Sequence, residues 1–253
     1  MNDDIRHNDR IISQFTRWAQ PFADLPIHAE EDGMGRTLAA AAIGPADHVL
    51  DVACGPGIVA CAAAAHAAHV TGIDLTPAMI EQARARQAAA GLANLDWRTG
   101  DATALPFADD SFDRVVTRYS FHHLREPGRA LAEMRRVCRP GGRVVVIDAT
   151  PAPECQAAYD RMETLRDPSH SSALTVEQLR GLGRAAALTE LSVDSYRLEA
   201  LLSTLADADD MAALDAMFDA DIAEGKDRIG VQARRTADGI RFHFPISIVA
   251  WHR

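Results

Sequence analysis

The chain has 253 residues, 47% of them hydrophobic, and a formal charge of −10 from 26 basic and 36 acidic side chains. That length suits one domain with insertions and a substantial core, and no apolar run approaches the ~20 residues of a spanning helix. An acidic balance without a lysine or arginine cluster disfavours duplex and tRNA substrates, whose binding is dominated by phosphate contacts; a small-molecule or carrier-bound substrate is expected, with no nucleic acid and no membrane partner.

Residues 10–42 read as two helices. Ile11, Ile12, Phe15, Trp18, Ala19 and Phe22 recur at helical spacing, and Pro21 and Pro26 break the pattern. His48 to Val52 is a strand, followed by an alanine-rich helix over 58–68, with His66 and His69 near its end as partners of the helix dipole. Val70 to Asp74 is a second strand. Thr76 caps the next helix, Pro77 starts it and Gly91 ends it. A short strand over 94–99 holds Trp97; Phe112 to Ser120 is another; a helix follows from Pro127 to Cys138. Arg139-Pro140-Gly141-Gly142 turns the chain into a strand from Arg143 to Asp148.

Beyond Pro151 the alternation lapses. Residues 154–166 read as helix, 167–173 as loop, 175–187 as a helix capped by Thr175, and Leu191 to Leu198 as a strand. Residues 199–224 carry eight acids and no lysine or arginine, and the acids read as the solvated face of a helix striped by Leu201, Leu205, Met211, Leu214, Phe218 and Ile222. Ile240 to Trp251 is the last strand, and Pro245 suggests an edge or bulge position for it. Strands alternating with helices imply a mostly parallel sheet covered on both faces.

Three strand ends deliver chemistry to one edge of that sheet, where ligands of open α/β sheets sit. The first ends in Asp51 and runs into Ala53-Cys54-Gly55-Pro56-Gly57, the second ends in Asp74, and the third is followed by Asp101. Gly55-Pro56-Gly57-Ile58-Val59-Ala60 fits the G-x-G-x-x-G/A pattern of a dinucleotide site, with Asp74 placed as a ribose-binding acid. Asp51 argues otherwise. A dinucleotide lays its pyrophosphate on this turn, and a carboxylate about 4 Å from a phosphate is repelled by roughly 4 kcal/mol per charge pair at an effective dielectric of about 20. A cationic ligand without phosphate, such as S-adenosylmethionine with its ammonium and sulfonium, reverses the sign.

Five segments in order, VLDVACGPG at 49–57, GIDLTPAMI at 72–80, GDATALPFADDSFDRVV at 100–116, SFHHL at 120–124 and RPGGRVVVID at 139–148, resemble the class I S-adenosylmethionine-dependent methyltransferases. The likeness is to the ubiquinone/menaquinone-biosynthesis C-methyltransferase branch and its small-molecule relatives; it covers about 100 residues. It implies a Rossmann-like α/β fold: a seven-stranded, mostly parallel sheet with helices on both faces, an antiparallel last strand and helical lid insertions. One domain over 1–253 would divide into a lid (1–42), a cofactor-binding core (43–150) and substrate-side insertions with the last strands (151–253).

The resemblance also implies roles. Asp51 would orient the cofactor ammonium; the residues alone equally allow an acid that holds the glycine loop through its N–H groups. Gly55 and Gly57 give permissive backbone, and Ala53 stands where many relatives have glycine. Asp74 would accept the ribose hydroxyls, Leu75 and Met79 would line the adenosine, and Asp101 with the Ala102 N–H would meet the adenine, unless Asp101 merely caps its loop. Arg118 is assigned backbone proximity. His122, ahead of His123, could act as a base toward the acceptor, or one of the two could pack against or cap the next helix. Phe15, Trp18 and Phe22 of the lid, with Tyr159, Arg166, His170 and His243, are the substrate-side candidates. Four cysteines without C-x-x-C or metal spacing, after an N-terminus lacking the apolar stretch of a signal peptide, point to a cytoplasmic protein with no metal. A homodimer through the last strands or the lid is compatible with the pattern. The alternative activity is another S-adenosylmethionine reaction on the same fold, such as a cyclisation, or a binding module without turnover.

Overall fold

A computed structural model describes residues 2–24, 31–205 and 210–253; the side chains of Trp18 and Phe22 lie outside what it describes. The elements are α1 (Asn2–Asp24), α2 (Glu31–Ala41), β1 (His48–Val52), α3 (Ile58–Ala64), β2 (His69–Asp74), α4 (Pro77–Ala89), β3 (Leu95–Thr99), β4 (Phe112–Arg118), α5 (Pro127–Val137), β5 (Cys138–Ala149), α6 (Gln156–Arg166), α7 (Val176–Ala185), β6 (Thr189–Leu201), α8 (Met211–Glu224), β7 (Arg234–Thr236) and β8 (Gly239–His252). One sheet runs β3-β2-β1-β4-β5-β8-β6, with the short β7 paired to β8. The pairs from β3 to β5 are parallel, and β8 lies antiparallel to both β5 and β6. The described sheet thus has the expected architecture plus one short strand.

The central strands are apolar on both faces, as strands covered on both sides must be. Leu50, Val52, Val115, Val144 and Val146 pack toward α5 and α7. Val116, Val145 and Ile147 pack toward α2, α6 and α8, and Val49 and Val70 toward α3 and α4. Alanine in α3 lets that helix lie close, with Ala60 and Ala63 fully buried.

Several local expectations change. α1 continues through Pro21, which removes the donor to Arg17 only one turn before the helix ends. The segment Arg139–Gly142 is not a separate turn: it bulges out within β5, between the pairs Phe112–Cys138 and Arg114–Arg143. Residues 199–224 are not one helix; β6 continues to Leu201 and α8 begins at Met211. Thr76 holds the N-cap position without a side-chain capping bond; its side chain and its N–H, the latter at 2.8 Å, bond Asp74 instead. Thr175 does cap α7, in a capping box with Gln178. Pro245 stands on an inner strand rather than an edge. It is tolerated because β5 pairs with β8 only as far as Ala149–Ile246. The Pro245 carbonyl accepts from Thr150 N on that side, and in an antiparallel strand N–H and C=O of one residue point the same way, so the missing donor faces ground β5 has already left.

Trp97 of β3 lies across Gly72 of β2, where an added Cβ would strike its ring and sit 3.0 Å from Cys54 Sγ. Gly72→Ala overpacks this contact by about 1–3 kcal/mol. The expected fall in melting temperature is roughly 2–12 °C, and an unchanged calorimetric melt would show that the tryptophan has room to move.

Candidate active site

The register of the parallel strands decides which side chains meet. Asp51 pairs with Gly72 on β2 and with Val116 on β4. Paired residues of neighbouring strands face the same side, as do residues two apart on one strand. Asp74, Asp51 and Arg118 therefore project from one face of the sheet at its carboxyl edge. Asp148 follows Ile147, the partner of Arg118 on β5, so it points to the opposite face.

On the first face the chain after β1 makes a tight loop with positive φ at Ala53 (52°), Gly55 (51°) and Gly57 (76°). A left-handed alanine is uncommon and strained, and it opens the backbone toward the adjoining cleft. Asp74 secures the loop by accepting Gly55 N–H at 2.9 Å. Asp51 is 1% exposed, and its Oδ2 has no hydrogen-bond partner among the described residues. Burial pushes its pKa up to about 8 and the Asp74 charge adds to this; the Ala60 amide and Arg118 act the other way. The backbone N–H groups that hold this segment are shared: Asp51 takes that of Ala60, at the start of α3, and Asp74 takes that of Gly55. Asp101 caps its own loop, accepting from the Thr103 N–H and hydroxyl at 2.8 Å each, while its second oxygen accepts from Asn8 of α1 at 3.1 Å.

A cleft above this edge is lined by Ala53, Gly55, Asp74, Leu75, Met79, Asp101, Ala102, Arg118, Phe15 and His123 among the residues singled out above. Gly57 lies beneath it, where an added Cβ would strike Ala83 and Trp97. It is also lined by Ile11, from the apolar stripe of α1, and by His7, Asn8 and Tyr119, which local spacing did not single out. His7, Ile11 and Phe15 stand four apart, so carrying the apolar stripe of α1 back one turn would have found His7.

The two adjacent histidines part company. His122 Nδ1 lies 2.5 Å from Asp148 Oδ1, and Asp148 also accepts the N–H groups of Phe121, His122 and Ala149. Burial would lower the His122 pKa, but the Asp148 carboxylate outweighs it and raises it. His122 is turned from the cleft with Asp148. His123 lines the cleft, edge-on to Phe15 at 5.0 Å. Ser169 Oγ donates to Asp167 at 2.6 Å and so accepts from His123 Nδ1 at 3.2 Å, an assignment made from the hydrogen-bond network. The Nε2 of His123 keeps its lone pair. Burial, and then the His122 charge, hold its pKa below the usual histidine range. His7 of α1 bonds the His123 carbonyl at 2.7 Å.

Tyr159, Arg166, His170 and His243 are not brought to the cleft. Tyr159 of α6 is buried in the core, its hydroxyl without a hydrogen-bond partner among the described residues, and His170 is bound to Asp160 at 2.8 Å. Arg166 pairs with the buried Glu163 at 2.7 Å. His243 lies on β8, its Nε2 3.7 Å from Glu199. No group of three or more metal-ligating side chains is placed to hold an ion, and no helix is long and apolar enough to cross a membrane, both among the described residues.

Residues 50–146 match the family described as "Methyltransferase domain". The chain is 38% identical over 192 residues to the uncharacterized protein Rv1405c of Mycobacterium tuberculosis, covering 74% of this chain and 68% of that one. It is 29% identical over 186 residues to the uncharacterized methyltransferase YcgJ of Bacillus subtilis, covering 73% and 74%. The solved YcgJ structure superposes with a TM-score of 0.81 over 88% of this chain and 99% of that one, at 23% identity. A shorter match, 46% over 119 residues, is to the ubiquinone/menaquinone biosynthesis C-methyltransferase UbiE of Paracoccus denitrificans, covering 45% of this chain and 48% of that one. The chain belongs to the class I S-adenosylmethionine-dependent methyltransferase family.

The Asp51 pKa has a consequence for the ligand-free protein. Between about pH 4 and pH 8 the folded state holds a proton that the unfolded state has lost, so this stabilisation fades as pH rises through that window. Asp51→Asn removes the dependence. The variant should gain on wild type as pH rises, by on the order of a few kcal/mol at pH 9; parallel stability–pH profiles in urea unfolding would contradict the burial cost.

Proposed function

We propose that the cleft binds S-adenosylmethionine and that the chain methylates a small-molecule acceptor, of a secondary-metabolite or quinone-like kind, in the cytoplasm. The observation that carries this reading is the buried Asp51, whose Oδ2 has no partner among the described residues; it shares a sheet face with the cleft-lining Asp74 and Arg118 without lining the cleft itself. It is a cation acceptor beside a loop whose backbone admits close approach, and it suits an ammonium where it would repel a phosphate. When bound, the cofactor supplies an electrophilic methyl group on a sulfonium. Asp74, anchored by two backbone N–H groups, keeps lone pairs for the ribose hydroxyls. Leu75 and Met79 supply apolar surface for the adenosine, and Asp101 with the Ala102 N–H would hold the adenine, Asn8 yielding or sharing its bond. Ile11 and Phe15 wall the acceptor side, and His123 presents a neutral Nε2 there. That lone pair can orient a hydroxyl or amine and take its proton as the acceptor becomes cationic, while a charged ring would repel the sulfonium. The UbiE likeness and this apolar wall support the acceptor class; the four free cysteines support the compartment.

Calorimetric titration with S-adenosylhomocysteine tests the binding step, and absence of binding by folded protein at high micromolar ligand would end the proposal. Asp74→Ala is expected to raise the dissociation constant at least tenfold, since hydrogen bonds to a charged group are worth about 1.5–3 kcal/mol each. Wild-type affinity should weaken about tenfold per pH unit below about 8, because the ligand must displace the Asp51 proton, and a flat profile would remove Asp51 from the ammonium site. Incubation with methyl-labelled cofactor and a small-molecule extract, read by mass spectrometry, tests turnover: label should appear on an acceptor, and a chain that binds yet moves no label is a cyclase-type or binding protein of the same fold.

A further inference from the structure

The loop between α6 and α7 reaches the back of His123, the histidine that lines the cleft. Its docking is set by the short turn that carries the ring. Ser171 and Ser172 donate their N–H groups to the His122 carbonyl at 2.8 and 3.2 Å, and the Ser171 hydroxyl donates to the His123 carbonyl at 3.1 Å. These bonds bring the buried Ser169 against Nδ1 of His123, with its Oγ at 3.2 Å.

Asp167 lies on the other side of Ser169. Its Oδ1 accepts the Ser169 N–H at 2.8 Å and the Ser169 hydroxyl at 2.6 Å, the local turn an aspartate makes with the residue two further on. Burial would raise the Asp167 pKa, but His123, Arg166 and the two bonds from Ser169 outweigh it and lower it. As a carboxylate it can only accept, and a hydroxyl has a single hydrogen to give. That hydrogen goes to Asp167, so the bond between Ser169 and the ring must use a hydrogen on Nδ1. Alanine at 169 would keep the backbone bond to Asp167. Among the described residues, the only bonds of the Ser169 hydroxyl are the two that join carboxylate to imidazole.

We propose that Asp167 and Ser169 are positioning residues that fix His123 with its hydrogen on Nδ1, so that the cleft presents a bare Nε2 to an acceptor that reacts through a proton-bearing atom. The inference rests on the proposed methyl transfer and narrows its acceptor to a hydroxyl, a thiol, a primary or secondary amine or an acidic carbon, as against a thioether or a tertiary amine. The acceptor atom forms its bond to the methyl carbon as the methyl–sulfur bond breaks, the electron pair of that bond stays on sulfur, and the acceptor's proton passes to Nε2. The ring is then an imidazolium that donates from both nitrogens. His122, 4.1 Å away ring to ring, disfavours that charge, and Asp167, reached through Ser169, favours it.

The tautomer can be read by long-range proton–nitrogen correlation NMR on the ligand-free full chain carrying isotope-labelled histidine, with the His123 ring identified by its loss in His123→Gln. Wild type should show a protonated Nδ1 and a bare Nε2. Ser169→Ala removes the acceptor at Nδ1, and Asp167→Ala frees the Ser169 hydroxyl to turn and donate to it; both should move the hydrogen to Nε2. Asp167→Asn should keep the wild-type form, because the Ser169 N–H holds the amide carbonyl where the carboxylate oxygen was. In methyl transfer from labelled cofactor to a small-molecule extract, Ser169→Ala and Asp167→Ala should lose about 10- to 100-fold, less than the whole contribution of a positioned base. Their affinity for S-adenosylhomocysteine should stay within about threefold of wild type, and Asp167→Asn should recover part of the lost transfer. A wild-type His123 with its hydrogen on Nε2 overturns the proposal without any variant having to fold. So do folded Ser169→Ala and Asp167→Ala proteins that keep the wild-type tautomer, the mark of a merely structural turn, or that reverse it and transfer methyl groups at the wild-type rate. A wild type that binds no S-adenosylhomocysteine, or moves no label, overturns the methyl-transfer reading beneath the proposal, whichever tautomer is found.

Discussion

Everything at the carboxyl edge follows from a carboxylate held out of water at Asp51 with one oxygen unsatisfied. A buried acid with one oxygen unpartnered among the described residues is expensive to ionise, and burial pushes its pKa up to about 8 against the opposing Ala60 amide and Arg118. The β1–β2 and β1–β4 registers set its neighbours, placing Asp74 on one side and Arg118 on the other. The loop that follows needs left-handed backbone at three positions to clear the space above it. A shift of one residue in either register would turn one of these charges into the opposite core.

That parity also divides the labour between the faces. The second charged cluster, Asp148 with His122, lies across the sheet. There Asp148 takes three backbone N–H groups and one imidazole, enough to offset its burial and keep it ionised. The result is a hydrogen-bonded turn that carries His123 to the cleft, with His122 bound to Asp148 behind it. The pKa values of neighbouring histidines of one short turn therefore shift in opposite directions, His122 up beside Asp148 and His123 down through burial, and His123 is the one that lines the cleft. Asp167 and Ser169, from the loop after α6, set its tautomer from the side.

α1 completes the cleft from above. Its contacts are of two kinds: apolar through Ile11 and Phe15, and polar through His7 to the His123 carbonyl and Asn8 to Asp101. The polar pair ties the helix to both ends of the cleft, so a helix whose periodicity reports only a greasy face is also positioned by hydrogen bonds. This was illegible in the sequence because a hydrogen bond between residues 93 positions apart leaves no trace in local spacing.

The amino-acid sequence by itself determined the strands and helices of the cofactor half, the edge to which Asp51, Asp74 and Asp101 belong, and the family. Apolar runs that end in an acid or a glycine turn are local signals, and parallel strands covered by helices allow few arrangements. Tertiary structure decided what depended on register and on distant partners. It sent His122 to one face and left His123 on the cleft, placed Arg118 on the sheet face that carries Asp51, seated Pro245 on an inner strand, and kept Tyr159 and His170 in the interior. The physical reason is the period of two along a strand: residue type tells which groups could react, but only pairing with the neighbouring strand tells which face of the sheet each one occupies.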